Sequence, residues 1–303
     1  MLLHPREILR TRSGLGYLEL RSAAGGLLCV QGPASEQGRV RRAFKSAQAM
    51  AKADPDSAFI PVSFGVADGM ASAVFEGECG GSLRLFLFHA TPALQYAEGR
   101  RLGRALRALH ETPLTKDQER RADARQAKFM ERIAEYVARL PHFKGDQAAM
   151  DAISARYDNF SCFRRVLRYG QLRDDRVMVR QDSSVALLPS PSFGPGDACE
   201  DFALMEFSFA GLYPCCCAGV IDGYFQGAEP PARFWVNFAL HSAVLSLWRC
   251  GTEAMQSRRS LLIMQAECLR ISSDFQGFLR PYPSWYSSPE VKKARESALA
   301  KAL

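Results

Sequence analysis

The stretch from Tyr169 to Phe202 constrains the chain more than any other. It begins Tyr-Gly-Gln-Leu-Arg-Asp-Asp-Arg (169–176), runs through Val177–Arg180, turns at Gln181-Asp182-Ser183-Ser184 and returns through Val185–Leu188. A Ser/Pro/Gly-rich segment follows and ends Gly196-Asp197-Ala198-Cys199-Glu200-Asp201-Phe202. Two short apolar runs joined by a polar turn predict a hairpin, and Gly-Asp before a helical pattern predicts an N-terminal cap. The order is therefore loop, strand, turn, strand, loop, capped helix.

A chain of 303 residues with 47% apolar content can build a full core, or two lobes sharing a cleft. No apolar run reaches the roughly 18–20 residues that span a bilayer, and Met1–Arg6 lacks the apolar region of a signal peptide, so a cytoplasmic protein without membrane contact is expected. The nine cysteines lie mostly in apolar segments, and an odd number without framework spacing favours free buried thiols. The run Cys215-Cys216-Cys217 raises the alternative of a soft metal. Neighbouring ligands on a helix point about 100° apart and no second pair lies nearby, which favours a core-facing helix. The net charge of +7 is spread among acids in Arg100–Arg107 and Lys116–Arg139, as solvated helix faces are, and no basic block interleaved with aromatics argues for nucleic acid.

Residues 1–80 read as a small lobe, an antiparallel sheet plus one helix. Gly14 and Gly16 precede an alternating segment to Leu20, Ala23–Gly26 form a turn, and Leu27–Val30 return. A helix is predicted over Arg39–Ala51, and two more strands over Phe59–Gly65 and Ala71–Phe75. Gly80-Gly81 read as a hinge, after which 81–303 form a larger, mostly helical lobe carrying the 169–202 stretch. Helices are expected from Pro92 to His110, with Gly99 and Gly103 allowing close helix approach, over Lys116–Leu140 stopped by Pro141, and over Asp146–Tyr157. Beyond Asp201 they are expected over Phe202–Leu212, with Gly219 as an alternative end, and over Val220–Gln226, Pro231–Trp248 and Thr252–Phe275.

Gly170, the hairpin, Gly196-Asp197 and Asp201 together resemble the catalytic centre of the aminoglycoside and choline phosphotransferase family, whose pattern is His-Gly-Asp-x-His-x-x-Asn, a hairpin, Ile-Asp-Phe and Gly-Asp-Pro-x-x-Asp. The segments Ile221–Phe225, Phe234-Trp235 and Pro283–Tyr286 are similar to the C-terminal signature of a bacterial branch of it. The resemblance implies a two-lobe, protein-kinase-like α+β fold and ATP-dependent transfer to an alcohol with magnesium. Matched position by position, the family's first His falls on Tyr169, its catalytic Asp on Gln171, its second His on Arg173, its metal-binding Asn on Arg176 and its metal-binding Asp on Pro189. Gln171 cannot take a proton, Arg176 cannot ligate a metal, and Pro189 offers no side-chain oxygen. The phosphate-holding Lys or Arg of the return strand is missing as well, since that strand ends Cys29-Val30-Gln31, and the following helix has no Glu to pair with it.

The expectation is thus a catalytically degenerate pseudokinase, a binding or regulatory module with no metal and no cofactor. The alternative is an active ATP- and magnesium-dependent phosphotransferase of a small hydroxyl- or amino-alcohol-bearing substrate that has relocated its carboxylates, with Asp174, Asp175 and Asp182 as candidates. Arg173 and Arg176 are candidate anion-binding residues, for an anionic small molecule or an acidic side chain of a partner protein. Gly170, Asp197 and Asp201 are assigned structural roles, Asp197 as a helix cap and Asp201 as the tie between loop and helix. His110 ends its helix as a packing and capping residue, against the alternative of catalysis. The aromatics Trp235, Phe238, Trp248, Trp285 and Tyr286 read as core at their helical spacing, against the alternative of a ligand cage.

Overall fold

The computed structural model describes residues 5–11, 14–22, 25–139, 142, 145–156, 158, 164–254 and 258–300. Strands β1 (Pro5–Arg10), β2 (Gly16–Ser22) and β3 (Gly25–Pro33), helix α1 (Gln37–Ala53), and strands β4 (Ile60–Ala67) and β5 (Met70–Glu76) form an antiparallel sheet of order β1-β2-β3-β5-β4 with one helix packed on it. The sequence did not predict β1: Pro-Arg-Glu-Ile-Leu-Arg is an exposed edge and lacks a clean alternation. Gly14 therefore closes the β1–β2 turn, where Leu15 N donates to Thr11 Oγ1 at 2.9 Å. Of the turn predicted at Ala23–Gly26, Ala23 and Ala24 lie outside the described residues, and Gly25 and Gly26 open β3. Helix α1 buries Val40, Ala43, Ala47 and Met50 at spacings of three and four, the first three in the core beneath the sheet and Met50 in the core of the helical lobe.

At Gly80 the backbone takes φ +60, and a Cβ there would sit 2.2 Å from Val179 O. The two-residue strand β6 (Gly81–Ser82) then leads into α2 (Leu83–His89), capped by Ser82. Leu-Arg-Leu-Phe-Leu-Phe has the period of a strand, which hid this helix, and only Leu83 and Leu87 are buried. Thr91 caps α3 (Pro92–His110), followed by α4 (Lys116–Arg139) and α5 (Asp146–Ala155). The expected stop at Leu140-Pro141, and Tyr157 at the predicted end of α5, fall outside the described residues. Strands β7 (Arg165–Arg168), β8 (Val177–Val179), β9 (Val185–Leu187) and β10 (Gly194–Asp197) come next. The predicted hairpin is β8–β9, and β6 pairs with β8 on its other edge. Gly194–Asp197 was expected to be loop but pairs with β7, because its backbone is satisfied by a strand far back in the chain.

The rest is helical: α6 (Ala198–Met205) with a π-turn over Glu206–Ala210, α7 (Pro214–Tyr224), α8 (Ala232–Ala254), α9 (Arg258–Asp274) and α10 (Pro289–Ala300). The helical stretch expected over Phe202–Leu212 ends at Ala210, and the alternative end at Gly219 fails because Pro214 opens α7 from its first turn, where its missing N–H costs nothing. None of the helices among the described residues is long and apolar enough to cross a membrane.

Helices α3 and α7 cross so closely that only glycine fits at the contact. A Cβ on Gly99 would lie 2.0 Å from Cys216 O and one on Gly103 2.1 Å from Val220 O; from the other side, Gly219 and Gly223 would each place one 2.2 Å from a carbonyl of α3. The buried Cys215-Cys216-Cys217 run thus belongs to this packed helix. Helix propensity alone favours Ala over Gly by about 1 kcal/mol. Here a methyl would press on backbone, so Gly103→Ala should instead destabilise by about 1–3 kcal/mol in urea unfolding, and a stabilised variant would mean the helices are farther apart than described.

Candidate functional site

The loop that opens at Tyr169 is held by Asp201, in the first turn of α6. Its carboxylate accepts from Tyr169 N at 2.8 Å and Gly170 N at 2.6 Å and faces His110 Nε2 at 3.1 Å. The other His110 nitrogen, Nδ1, lies 3.0 Å from Tyr224 Oη. Gly170 has φ +77 and a Cβ there would strike Ser192 O at 2.4 Å, so the turn requires glycine. Asp197 accepts from Cys199 N at 2.8 Å in a capping box with Glu200, and His241 Nε2 lies 3.0 Å from its second oxygen. Gly170, Asp197, Asp201 and His110 all sit in this supporting frame.

Tyr169, at the family's first His, is 2% exposed and its hydroxyl reaches Leu188 O at 2.8 Å and Arg176 O at 3.0 Å, so it ties the two ends of the hairpin. Arg173 makes a two-pronged pair with Asp175 at 3.0 and 2.8 Å. Asp174, almost fully buried, is gripped in the same way by Arg84 of α2 at 2.8 and 2.9 Å. Arg176 is 4% exposed; its guanidinium lies 5.2 Å from the centre of the Tyr17 ring, and neither Nε nor Nη1 has a hydrogen-bond partner. Gln171 Oε1 is buried and equally without a partner. Asp182 stands in the exposed hairpin turn and accepts from Ser184 N at 2.8 Å, an Asx-turn.

Pro189 and the two residues after it are clamped to the sheet lobe. The Tyr17 hydroxyl donates to Pro189 O at 2.8 Å, Ser190 N donates to Ser46 Oγ at 2.7 Å, and Arg42 Nε donates to Pro191 O at 2.8 Å. Burial pushes the Tyr17 hydroxyl up to about 12, against the opposing pull of Arg176. Beneath the sheet, Met178, Ala186 and Leu188 of the hairpin join Leu15, Tyr17, Leu28 and Val30 in one apolar core. No local pattern marks Tyr17, Ser46, Arg42 or Arg84 for these roles, since none stands at a motif position.

Outside the clamp opens a cleft of about 1250 Å³, bordered by Gln171, Arg173, Asp175, Arg176, Trp248 and Arg270. Magnesium wants oxygen ligands. The positions that would supply them present Gln171, Arg176 and Pro189, and no group of three His, Cys, Asp or Glu among the described residues converges on one point. These residues do not fit the ion. Of the aromatics, Trp235, Phe238 and Trp285 are core, Tyr286 is partly buried against them, and Trp248 borders the cleft.

A twisted antiparallel sheet with one helix, set over a helical lobe that carries a hairpin and a loop tied down by Asp201, is a two-lobe, protein-kinase-like α+β architecture. A family model described as "Phosphotransferase enzyme family" (APH) matches residues 19–233, and the chain belongs to that family. No curated protein matches it. Among solved structures, a spectinomycin phosphotransferase determined with ADP and spectinomycin is similar with a TM-score of 0.61 at 10% identity, over 99% of this chain and 94% of that one. A choline/ethanolamine kinase family protein from Mesorhizobium loti gives 0.60 at 14%, over 97% and 92%. A macrolide 2'-phosphotransferase from Brachybacterium faecium gives 0.57 at 14%, over 88% and 91%. At these identities the likeness is one of fold.

Behind the loop, Glu200 is held by Arg125 at 2.8 and 2.9 Å and lies 3.6 Å from Arg168 Nε. Burial raises its pKa, but Arg168 and Arg125 outweigh that and hold it at about 2, below the ordinary 4.5. A carboxyl with a depressed folded pKa stabilises above the unfolded value and loses that stability as pH falls toward the folded one. Urea unfolding should therefore show a contribution on the order of 3 kcal/mol at pH 7 that fades between about pH 4.5 and 2. Glu200→Gln should remove both the contribution and that part of the pH slope; an unchanged slope would show that the pair does not act on stability.

Proposed function

We propose that this chain is a catalytically degenerate member of its phosphotransferase family, working as a binding or regulatory module. The observation that carries the reading is the clamp: the segment that in the resembling pattern holds the metal, Pro189–Pro191, is bonded through its backbone to Tyr17, Ser46 and Arg42, with Arg176 buried beneath the Tyr17 ring. Phosphoryl transfer needs a carboxylate near the incoming hydroxyl and ligands for magnesium on the phosphates. The carboxylates nearest to those positions are engaged, Asp174 by Arg84 and Asp175 by Arg173, and Asp182 caps its own turn.

A cation entering the cleft would meet Arg173 and Arg176, whereas an anion would find them as donors. Arg176 in particular has two N–H groups without acceptors. The ligand class proposed for the cleft is accordingly an anionic small molecule or an acidic side chain of a partner protein.

Calorimetric titration with ATP, with and without magnesium, tests the reading together with a turnover assay on aminoglycosides and amino-alcohols. The expected result is no magnesium-dependent binding and background turnover, with Gln171→Asp, Arg176→Asn and Pro189→Asp required together for any gain. Turnover by the unmodified protein at about 1–100 s⁻¹ would overturn it.

A further inference from the structure

We infer that the chain carries a second ligand site, for a compound bearing two or more phosphates, in the cavity between α1 and α4. The cavity holds about 1010 Å³, at the upper end of the size of small-molecule sites, and is bordered by β7, the loop 191–193 and the start of β10. Eight Arg and Lys side chains border it, against one carboxylate, Glu200. That carboxylate is already taken by Arg125 and Arg168, and two arginines at the rim pair with Glu36 and Asp117.

This leaves Arg42 and Lys45 on α1 facing Lys128 and Arg132 on α4, and no carboxylate among the described residues pairs with any of the four. Arg42 gives one N–H to the neutral Pro191 O, and Arg132 lies 5.3 Å from the Trp248 ring centre. Both contacts fix a guanidinium in place without pairing it to a carboxylate. On β7, Arg168 is 5% exposed, donates Nη2 to Ser192 O at 3.1 Å and has no hydrogen-bond acceptor at Nε.

Cations gathered on facing walls repel one another in the empty protein, and an anion placed between them removes the repulsion. A single carboxylate would satisfy one wall only. Phosphate groups spaced along one molecule reach α1 and α4 at once, and the forked N–H groups of arginine match phosphate oxygens in pairs. This site stands whether or not the chain transfers phosphate, because none of its four cations belongs to the loop 169–176 or to the hairpin, and of the four only Arg132 also borders the cleft outside the clamp.

The test is calorimetric titration of the full chain with sodium tripolyphosphate, in chelator and at about 0.15 M salt, where exposed charges are largely screened. Binding is expected, at least about tenfold tighter than inorganic phosphate. Lys45→Gln/Lys128→Gln, two exposed positions whose loss leaves the core untouched, should weaken it by about tenfold or more. Lys292→Gln/Lys293→Gln on α10, the same change in net charge elsewhere, should leave it intact. Running inositol hexakisphosphate beside tripolyphosphate separates an organic from an inorganic polyphosphate as the tighter ligand. Absence of binding, equal affinity for inorganic phosphate, or equal loss in both double variants would overturn the site.

Discussion

The Asp201 carboxylate is the interaction on which the site depends. It is fully buried, and it takes two backbone N–H groups of the loop and faces a histidine on α3, so loop, α6 and α3 meet at one side chain. Leaving any of these buried donors unpaired costs about 1–3 kcal/mol, which makes the turn at Gly170 a fixture of the fold. None of these bonds involves position 171, 176 or 189. The frame that positions the loop is therefore independent of the side chains at those three positions. Tyr169 adds the hairpin to it, since its hydroxyl reaches the backbone carbonyls of Arg176 and Leu188 from inside the core.

The C-terminal signature serves packing in a comparable way. Asp222 accepts from Tyr96 and Tyr286 hydroxyls, each at 2.6 Å, and from Arg295 Nε at 2.7 Å, so α3, α7, the tail and α10 share one carboxylate. Glu206 does the same for Trp285 Nε1 and Arg270, both at 2.9 Å. Burial raises the Glu206 carboxyl to about 7, with Arg270 pulling the other way. The Asp222 hub is possible because the α3–α7 crossing brings backbones together without intervening side chains.

Much of this was legible in local patterns. The hairpin, the capping Asp197, the helix α1 and the close approach through Gly99 and Gly103 each follow from residue patterns within one segment. Gly219 and Gly223 carry the other half of that crossing and were passed over, because glycines in an apolar run give no sign of their partner. Strand β10 and the clamp were hidden for the same reason. Ser46 and Ser190 are 144 residues apart, Tyr17 and Pro189 172 apart, and a hydroxyl or a proline carbonyl has no pattern that announces a distant acceptor or donor. The end near Leu212 was legible too, and only the alternative extension to Gly219 overlooks Pro214, a start signal that the apolar run on either side masks.

The replacements at the old motif positions are physically coupled. Arg176 is tolerable in the interior because the Tyr17 ring lies against it and Asp175 is 3.9 Å from its Nε. Tyr17 in turn is oriented by Pro189 O, a backbone acceptor, and Pro189 is placed by the bonds its neighbours make to Ser46 and Arg42. Reversing one member strands the others: a shorter side chain at 176 leaves the Tyr17 face without its cation and Asp175 with Arg173 alone, and a carboxylate at 189 enters a segment already bound to the sheet lobe. Residues that share partners do not change independently, and their effects do not add. The distance between this chain and a magnesium-holding loop is thus set by the number of mutually supporting contacts in the clamp, and it exceeds what a count of three substituted positions suggests.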